Sequence, residues 1–169
     1  MRHFRYLLFG FVIVFIQESC NRNDEGNPDK TVVINEFMAV NTITVADQDG
    51  EYDDWIEFFN LADHEIDLTG YYLTESKKNL TRWKFPQGTS ITARGYLVVW
   101  ADKDTTQFGL HANFKLSSLG ERVIILSPAL EVLDKVEYDA QTKELAYARV
   151  PNGTGAFVWQ AATFGYNNE

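Results

Sequence analysis

At 169 residues and a net charge of −9, the chain is long enough for one domain and too short for two comfortable ones. Its acidity excludes nucleic-acid binding, which begins with Lys and Arg neutralising phosphates. One cysteine, Cys20, rules out an intramolecular disulfide and leaves a free thiol, an intermolecular partner or a modified residue.

The first segment differs in kind from the rest. Arg2, His3 and Arg5 make a basic start, and residues 6–16 then run apolar. Eleven residues are too few to span a bilayer, which takes about 20, but they match the apolar region of an export signal. Residues 1–19 therefore read as a signal peptide. Without its two arginines and Glu18, the remainder carries 13 basic and 23 acidic residues, a net charge of −10. Such a chain is repelled by anionic lipid headgroups, so membrane attachment has to be covalent.

Cys20 supplies the means. Preceded by Gln17, Glu18 and Ser19, it resembles the lipobox of bacterial lipoproteins in its small residue before the cysteine. Gln17 and Glu18 depart from the usual aliphatic and small residues there. The alternative is an ordinary secretory signal with an incidental cysteine. The resemblance implies lipidation at Cys20 with several acyl chains, and two or more chains hold a protein firmly to a membrane. It places the protein in the cell envelope, anchored in the outer membrane on its periplasmic or surface face. Residues 20–30 then form the lipidated cysteine and a tether, since 21–30 contain no large apolar side chain to drive ordering.

From residue 31 to 169 the pattern is all-β: short runs rich in β-branched and aromatic residues, parted by turn signals, with no helical stripe. The runs predict strands over 32–38, 55–60, 71–74, 82–85, 96–100, 122–127, 132–138, 146–150 and 157–159. Eight or nine strands suit a β-sandwich. Within 55–60, Trp55, Glu57 and Phe59 fall on one face, Ile56 and Phe58 on the other. Leu97, Val98 and Val99, and Val123 through Leu126, are unbroken apolar runs, which predicts central strands buried on both faces. Phe85-Pro86-Gln87-Gly88 and Asn152-Gly153 carry turn chemistry.

Taken in order, Ile34-Asn35-Glu36-Phe37-Met38-Ala39, Asp53-Asp54-Trp55-Ile56-Glu57-Phe58-Phe59-Asn60 and Ile66-Asp67-Leu68-Thr69-Gly70-Tyr71-Tyr72-Leu73 resemble the opening of a bacterial lamin-tail domain. Trp83-Lys84-Phe85-Pro86, Gly95-Tyr96-Leu97-Val98-Val99-Trp100-Ala101, His111-Ala112-Asn113-Phe114 and Arg149-Val150-Pro151-Asn152-Gly153 continue the resemblance to about residue 168. Thr163-Phe164-Gly165 stands where the family often has Thr-Pro-Gly. The resemblance implies an immunoglobulin-like β-sandwich and no reaction of its own, because fold does not fix function.

Two constellations could still carry a ligand. Asp47-Gln48-Asp49-Gly50-Glu51-Tyr52-Asp53-Asp54 puts five acids in eight residues ahead of a strand. Such a loop could hold calcium through Asp47, Asp49 and Asp53, with Glu57 as a further ligand, or be a solvated acidic turn. Aligned on Gly50 as the sixth position of an EF-hand loop, Val45 and Ile56 occupy the first and twelfth, so that template fails. Trp83, Trp100 and Trp159 could make a stacking surface for a glycan or a protein, or pack in the core. No nucleophile elbow, zinc-protease, phosphate-loop or CxxC motif is present, and His111 reads as a structural hydrogen-bonding residue. The sequence therefore favours a noncatalytic binding module recognising protein or glycan; a calcium-stabilised structural or adhesion domain without a discrete ligand is the alternative.

Overall fold

The computed structural model describes residues 30–169; the segment read as a signal peptide, Cys20 and nearly all of the expected tether lie outside the described residues. The described chain is all-β. β1 (Val32–Met38), β2 (Trp55–Asn60) and β3 (Ile66–Asp67) are followed by β4 (Tyr72–Thr74), β5 (Trp83–Lys84) and β6 (Ser90–Ile91). β7 (Tyr96–Ala101), β8 (His111–Ala112) and β9 (Gly120–Leu126) come next, then β10 (Val132–Asp139), β11 (Ala146–Val150) and β12 (Ala156–Gln160). A six-stranded sheet runs β12-β11-β1-β2-β7-β8, a four-stranded sheet β10-β9-β4-β5, and β3 pairs with β6. All pairings are antiparallel except β7 with β8.

The core lies between the two larger sheets. Ile34 and Phe37 of β1, Ile56 and Phe58 of β2 and Val99 of β7 meet Leu73 of β4, Val123 and Ile125 of β9 and Val136 of β10. Each fully buried Val, Leu, Ile or Phe contributes about 1.5–3 kcal/mol of transfer free energy, so this layer dominates folding. β2 has the alternation expected from its sequence: Ile56 and Phe58 point into the core, while Trp55 belongs to a second cluster on the opposite face of the sheet.

That opposite face is also buried, which follows from the chain's last residues. Met38, Trp55, Trp100 and Ala146 form a small apolar cluster with Phe164 packed against it. Residues 162–168 run back across the sheet as a strap over this face. Every residue of β1 and β2 is consequently buried. A bulge in β1 between Ile34 and Glu36 makes this possible. The extra residue breaks the period of two, so that Asn35 and Glu36 both face the strap while Phe37 returns to the core.

Val123 to Leu126 are buried throughout, as a central strand requires. Leu97 and Val98 are only half-buried, a correction to the reading of that run as buried on both faces. β8 pairs only the far end of β7, opposite Trp100 and Ala101, so the first half of β7 is the rim of its sheet. The two-residue strands β3, β6 and β8 were too short to give a periodic signal.

Candidate functional site

Three places gather polar or aromatic side chains beyond the needs of the core: the acidic loop before β2, the strap, and the free edge at β12. Asn41 organises the acidic loop. Its side-chain oxygen accepts from the amides of Thr44 and Val45, and its amide donates to the carbonyls of Val45 and Asp53 (2.6 and 2.8 Å). Asp47 then closes a tight turn, its Oδ1 accepting from the amides of Asp49 and Glu51 at 2.9 and 2.8 Å. Gly50 sits at φ +86, a conformation L side chains rarely adopt.

The turn brings Asp47, Glu51 and Asp53 together, with one carboxylate oxygen from each within 4.8 Å of the others. Asp49 contributes its amide to the turn and is not in this group, and Glu51 takes the place expected of it. The reason is local: in the Asx-type turn the Asp47 carboxylate binds the amides two and four residues on. Glu57 is committed elsewhere. Asp47 Oδ2, Asp53 Oδ2 and the nearby Gln107 Oε1 are buried acceptors without a hydrogen-bond donor, although Gln107 Nε2 donates to Glu51 at 3.1 Å. Burial, and next the charge of Asp102, raise the Asp53 pKa, against the pull of Lys115 3.8 Å away. Gln107, Asp102 and Lys115 come from remote segments and gave no signal in the sequence. Asp54, next in the chain, turns the other way. Burial pushes its pKa up to about 7, opposed mainly by a hydrogen bond from the Leu116 amide.

The strap is held by two buried carboxylates on adjacent strands. Glu36 accepts from the amides of Thr163 (2.9 Å) and Phe164 (3.3 Å) and from the Thr163 hydroxyl. Glu57 accepts from the Asn35 side chain at 2.8 Å and from the Gly165 amide. Asn35 also donates to Asn152 and accepts from the Gly153 amide, tying the 152–153 turn to the same network. Phe164 then packs edge-on against Trp55, ring centres 5.0 Å apart, and tilted against Trp100 at 5.7 Å. Burial raises the Glu36 pKa and pushes that of Glu57 up to about 7 despite the donors they hold. The segment Thr163-Phe164-Gly165 is thus a docked strap. Its amides are visible in the sequence only as an ordinary turn.

The three tryptophans are not one surface. Trp83 is buried in the main core against Phe85, and Trp100 is buried beneath Phe164, so neither is a stacking platform. Both lie where a sheet face is covered, Trp83 by the opposite sheet and Trp100 by the strap. Trp159, on the edge strand β12, is 41% exposed and packs on Tyr147 with ring centres 4.5 Å apart. Tyr147 in turn stacks on Phe157 at 5.1 Å, and the Arg149 guanidinium lies 4.5 Å over Phe157.

His111 is buried, with Nδ1 on the Asp102 carboxylate and Nε2 3.2 Å from the Phe108 carbonyl. Both nitrogens are used within the fold, which leaves neither for a substrate. His64 is exposed beside Asp63 in a turn.

Two facing, largely antiparallel sheets and a strap closing the outer face define an immunoglobulin-like domain of the interaction or structural kind. The lamin tail domain family model matches residues 26–140, and the chain belongs to that family. A comparison with curated proteins gives no match. The sandwich continues past the matched span, since β11 and β12 complete the six-stranded sheet and the strap follows them.

Proposed function

We propose that the protein is a noncatalytic interaction module of the bacterial cell envelope, held to the outer membrane by lipid on Cys20 and binding a protein or glycan. The supporting observation is the aromatic row of β11 and β12, where Trp159 remains 41% exposed while Tyr147 backs it. A rigid ring offers a large contact area at small entropic cost. The test uses the full chain in detergent micelles against panels of glycans and envelope proteins. Saturable binding weakened by Trp159→Ala supports the reading, and binding indifferent to Trp159 counts against it. For the anchor, Cys20→Ser should move the protein from the membrane to the soluble fraction of cells.

A second reading, favoured by the orphaned acceptors of the acidic loop, is calcium stabilisation through Asp47, Glu51 and Asp53. Calcium binds oxygens at about 2.3–2.6 Å, so two oxygens on one ion lie at most about 5 Å apart. The 4.8 Å limit met by this trio satisfies that condition. An ion would also satisfy Asp47 Oδ2 and Asp53 Oδ2, which no hydrogen-bond donor reaches. Binding to the native state alone raises stability by about 2.7 kcal/mol at a hundredfold excess over Kd. A melting temperature unmoved by millimolar calcium would refute it.

A further inference from the structure

One exposed apolar surface of the domain, at Val158 and Trp159, lies at a sheet edge with unused backbone. β12 pairs only with β11 among the described residues, so its outer edge presents unpaired N–H and C=O groups. Sheet edges are usually blunted by charge or proline. Here residues 154–162, Thr-Gly-Ala-Phe-Val-Trp-Gln-Ala-Ala, carry neither, in a chain of net charge −9. Val158 and Trp159 are each 41% exposed, on opposite faces of the strand.

The opposing sheet stops short of this edge. Its own edge strand β10 packs over β1 through Tyr138, whose ring lies 4.8 Å from that of Phe37. Beyond Phe37 the inner face continues outward as Tyr147, Phe157 and Trp159, half-buried to exposed. They form an aromatic shelf with no strand above it among the described residues. Tyr147 also lines a polar cleft of about 360 Å³ with Glu121, Arg122, Glu137, Tyr138 and Asp139. Arg122 and Lys77 both pair with Glu137. Glu121 accepts only neutral donors, Tyr138 OH and the Ser117 amide, and Asp139 has no ion pair among the described residues. The cleft at the end of the shelf therefore favours a cation.

We infer that β12 accepts an extended segment of a partner protein as an added strand, whose apolar side chains pack on the Tyr147–Trp159 shelf and whose Lys or Arg enters the Glu121–Asp139 cleft. Backbone pairing along an open edge supplies affinity, and alternate side chains supply specificity. A glycan would use the exposed ring of Trp159 but leave the strand edge unpaired, and a second copy would set one acidic domain against another. The observations favour a basic peptide strand. The inference rests on the interaction-module reading and gives it a partner class.

The experiment uses the full chain in detergent micelles and three kinds of capped synthetic peptide. The first alternates valine and threonine with one terminal valine replaced by lysine, so that the lysine shares the valine face as the shelf and its cleft require, and the second carries glutamate in that place. The third is the lysine peptide N-methylated at all residues of the valine face or at all threonines, which blocks one edge of the strand or the other. The lysine peptide should bind at least about tenfold more tightly than the glutamate peptide, and Trp159→Ala should lower its affinity by about tenfold or more, as loss of an aromatic anchor does. One N-methyl series should abolish binding and the other preserve it, because only one edge of the added strand faces β12. Asp139→Asn should narrow the lysine-over-glutamate preference without unfolding the domain, since its side chain is exposed. Val158→Lys should weaken binding by charging the edge. The inference is overturned if neither peptide binds, if both bind alike, or if both N-methyl series bind. Trp159-dependent glycan binding without peptide binding also overturns it, yet leaves the interaction-module reading standing.

Discussion

Raising the pH from about 5 to about 8 should weaken the fold, and the cause is the carboxyl groups of Glu57 and Asp54. Burial pushes both pKa values up to about 7, from ordinary values of 4.5 and 3.8. Between those limits the folded protein holds protons that the unfolded chain has released, so stability falls as pH rises. Each pH unit in the window removes about 1.4 kcal/mol per group. For Glu57 the window runs from 4.5 to about 7, a loss of about 3 kcal/mol, a sizeable share of the roughly 5–15 kcal/mol of a typical domain. Glu36, raised by the same burial, adds to the slope. The assay is urea denaturation followed by tryptophan fluorescence at a series of pH values. Growing negative charge also disfavours the compact state at high pH, but that repulsion is screened by salt, whereas the buried groups are screened much less. The slope should therefore persist at high ionic strength and flatten in Glu57→Gln. A stability that is level or rises between pH 5 and 8, or a slope unchanged in Glu57→Gln, refutes the reasoning.

Phe164→Ala should cost about 2 kcal/mol, below the 3–5 kcal/mol of a fully buried Phe because this ring is half-buried. Its removal should also shift tryptophan emission to the red as water reaches Trp55 and Trp100. Asn35→Ala leaves the Gly153 amide without its acceptor and Glu57 without one donor; at about 1–3 kcal/mol per orphaned group, a loss of at least about 2 kcal/mol is expected by chemical denaturation. Gly120→Ala should destabilise by more than about 1 kcal/mol, measured in the same way, because φ is +97 and a Cβ would stand 2.6 Å from the Tyr138 carbonyl oxygen. In the acidic loop, Asp53→Asn should abolish any calcium-dependent rise in melting temperature while Asp49→Asn leaves it intact, since only Asp53 belongs to the carboxylate trio.

Much of the framework was legible because strand patterning is local. The bounds of β1, β2 and β11 coincide with runs of β-branched and aromatic residues, and the two faces of β2 follow from a period of two. Density of charge marked Asp47, Asp49 and Asp53 as candidate ligands, and of these Asp47 and Asp53 belong to the trio that the fold assembles. Glu51 was not distinguishable from Asp49 there, because membership depends on how the Asp47 turn spends its amides. The bulge at Asn35 was equally hidden: alternation would send Asn35 and Glu36 to opposite faces, and an extra residue puts both under the strap.

The amino-acid sequence by itself determined the all-β class, the order of the main strands, the acidic surface and the candidacy of Cys20, since each rests on composition or on spacing of a few residues. Tertiary structure alone decided which tryptophans are covered. Trp100 and Trp159 look alike in sequence, each in a short apolar strand, but Phe164 returns from 64 residues further along the chain to bury the first. The second lies on the last strand of its sheet, where the four-stranded sheet has already ended. Burial is a property of what packs against a residue, and those neighbours are set by long-range closure of the sandwich, so the same residue type became core in one place and an open edge in the other.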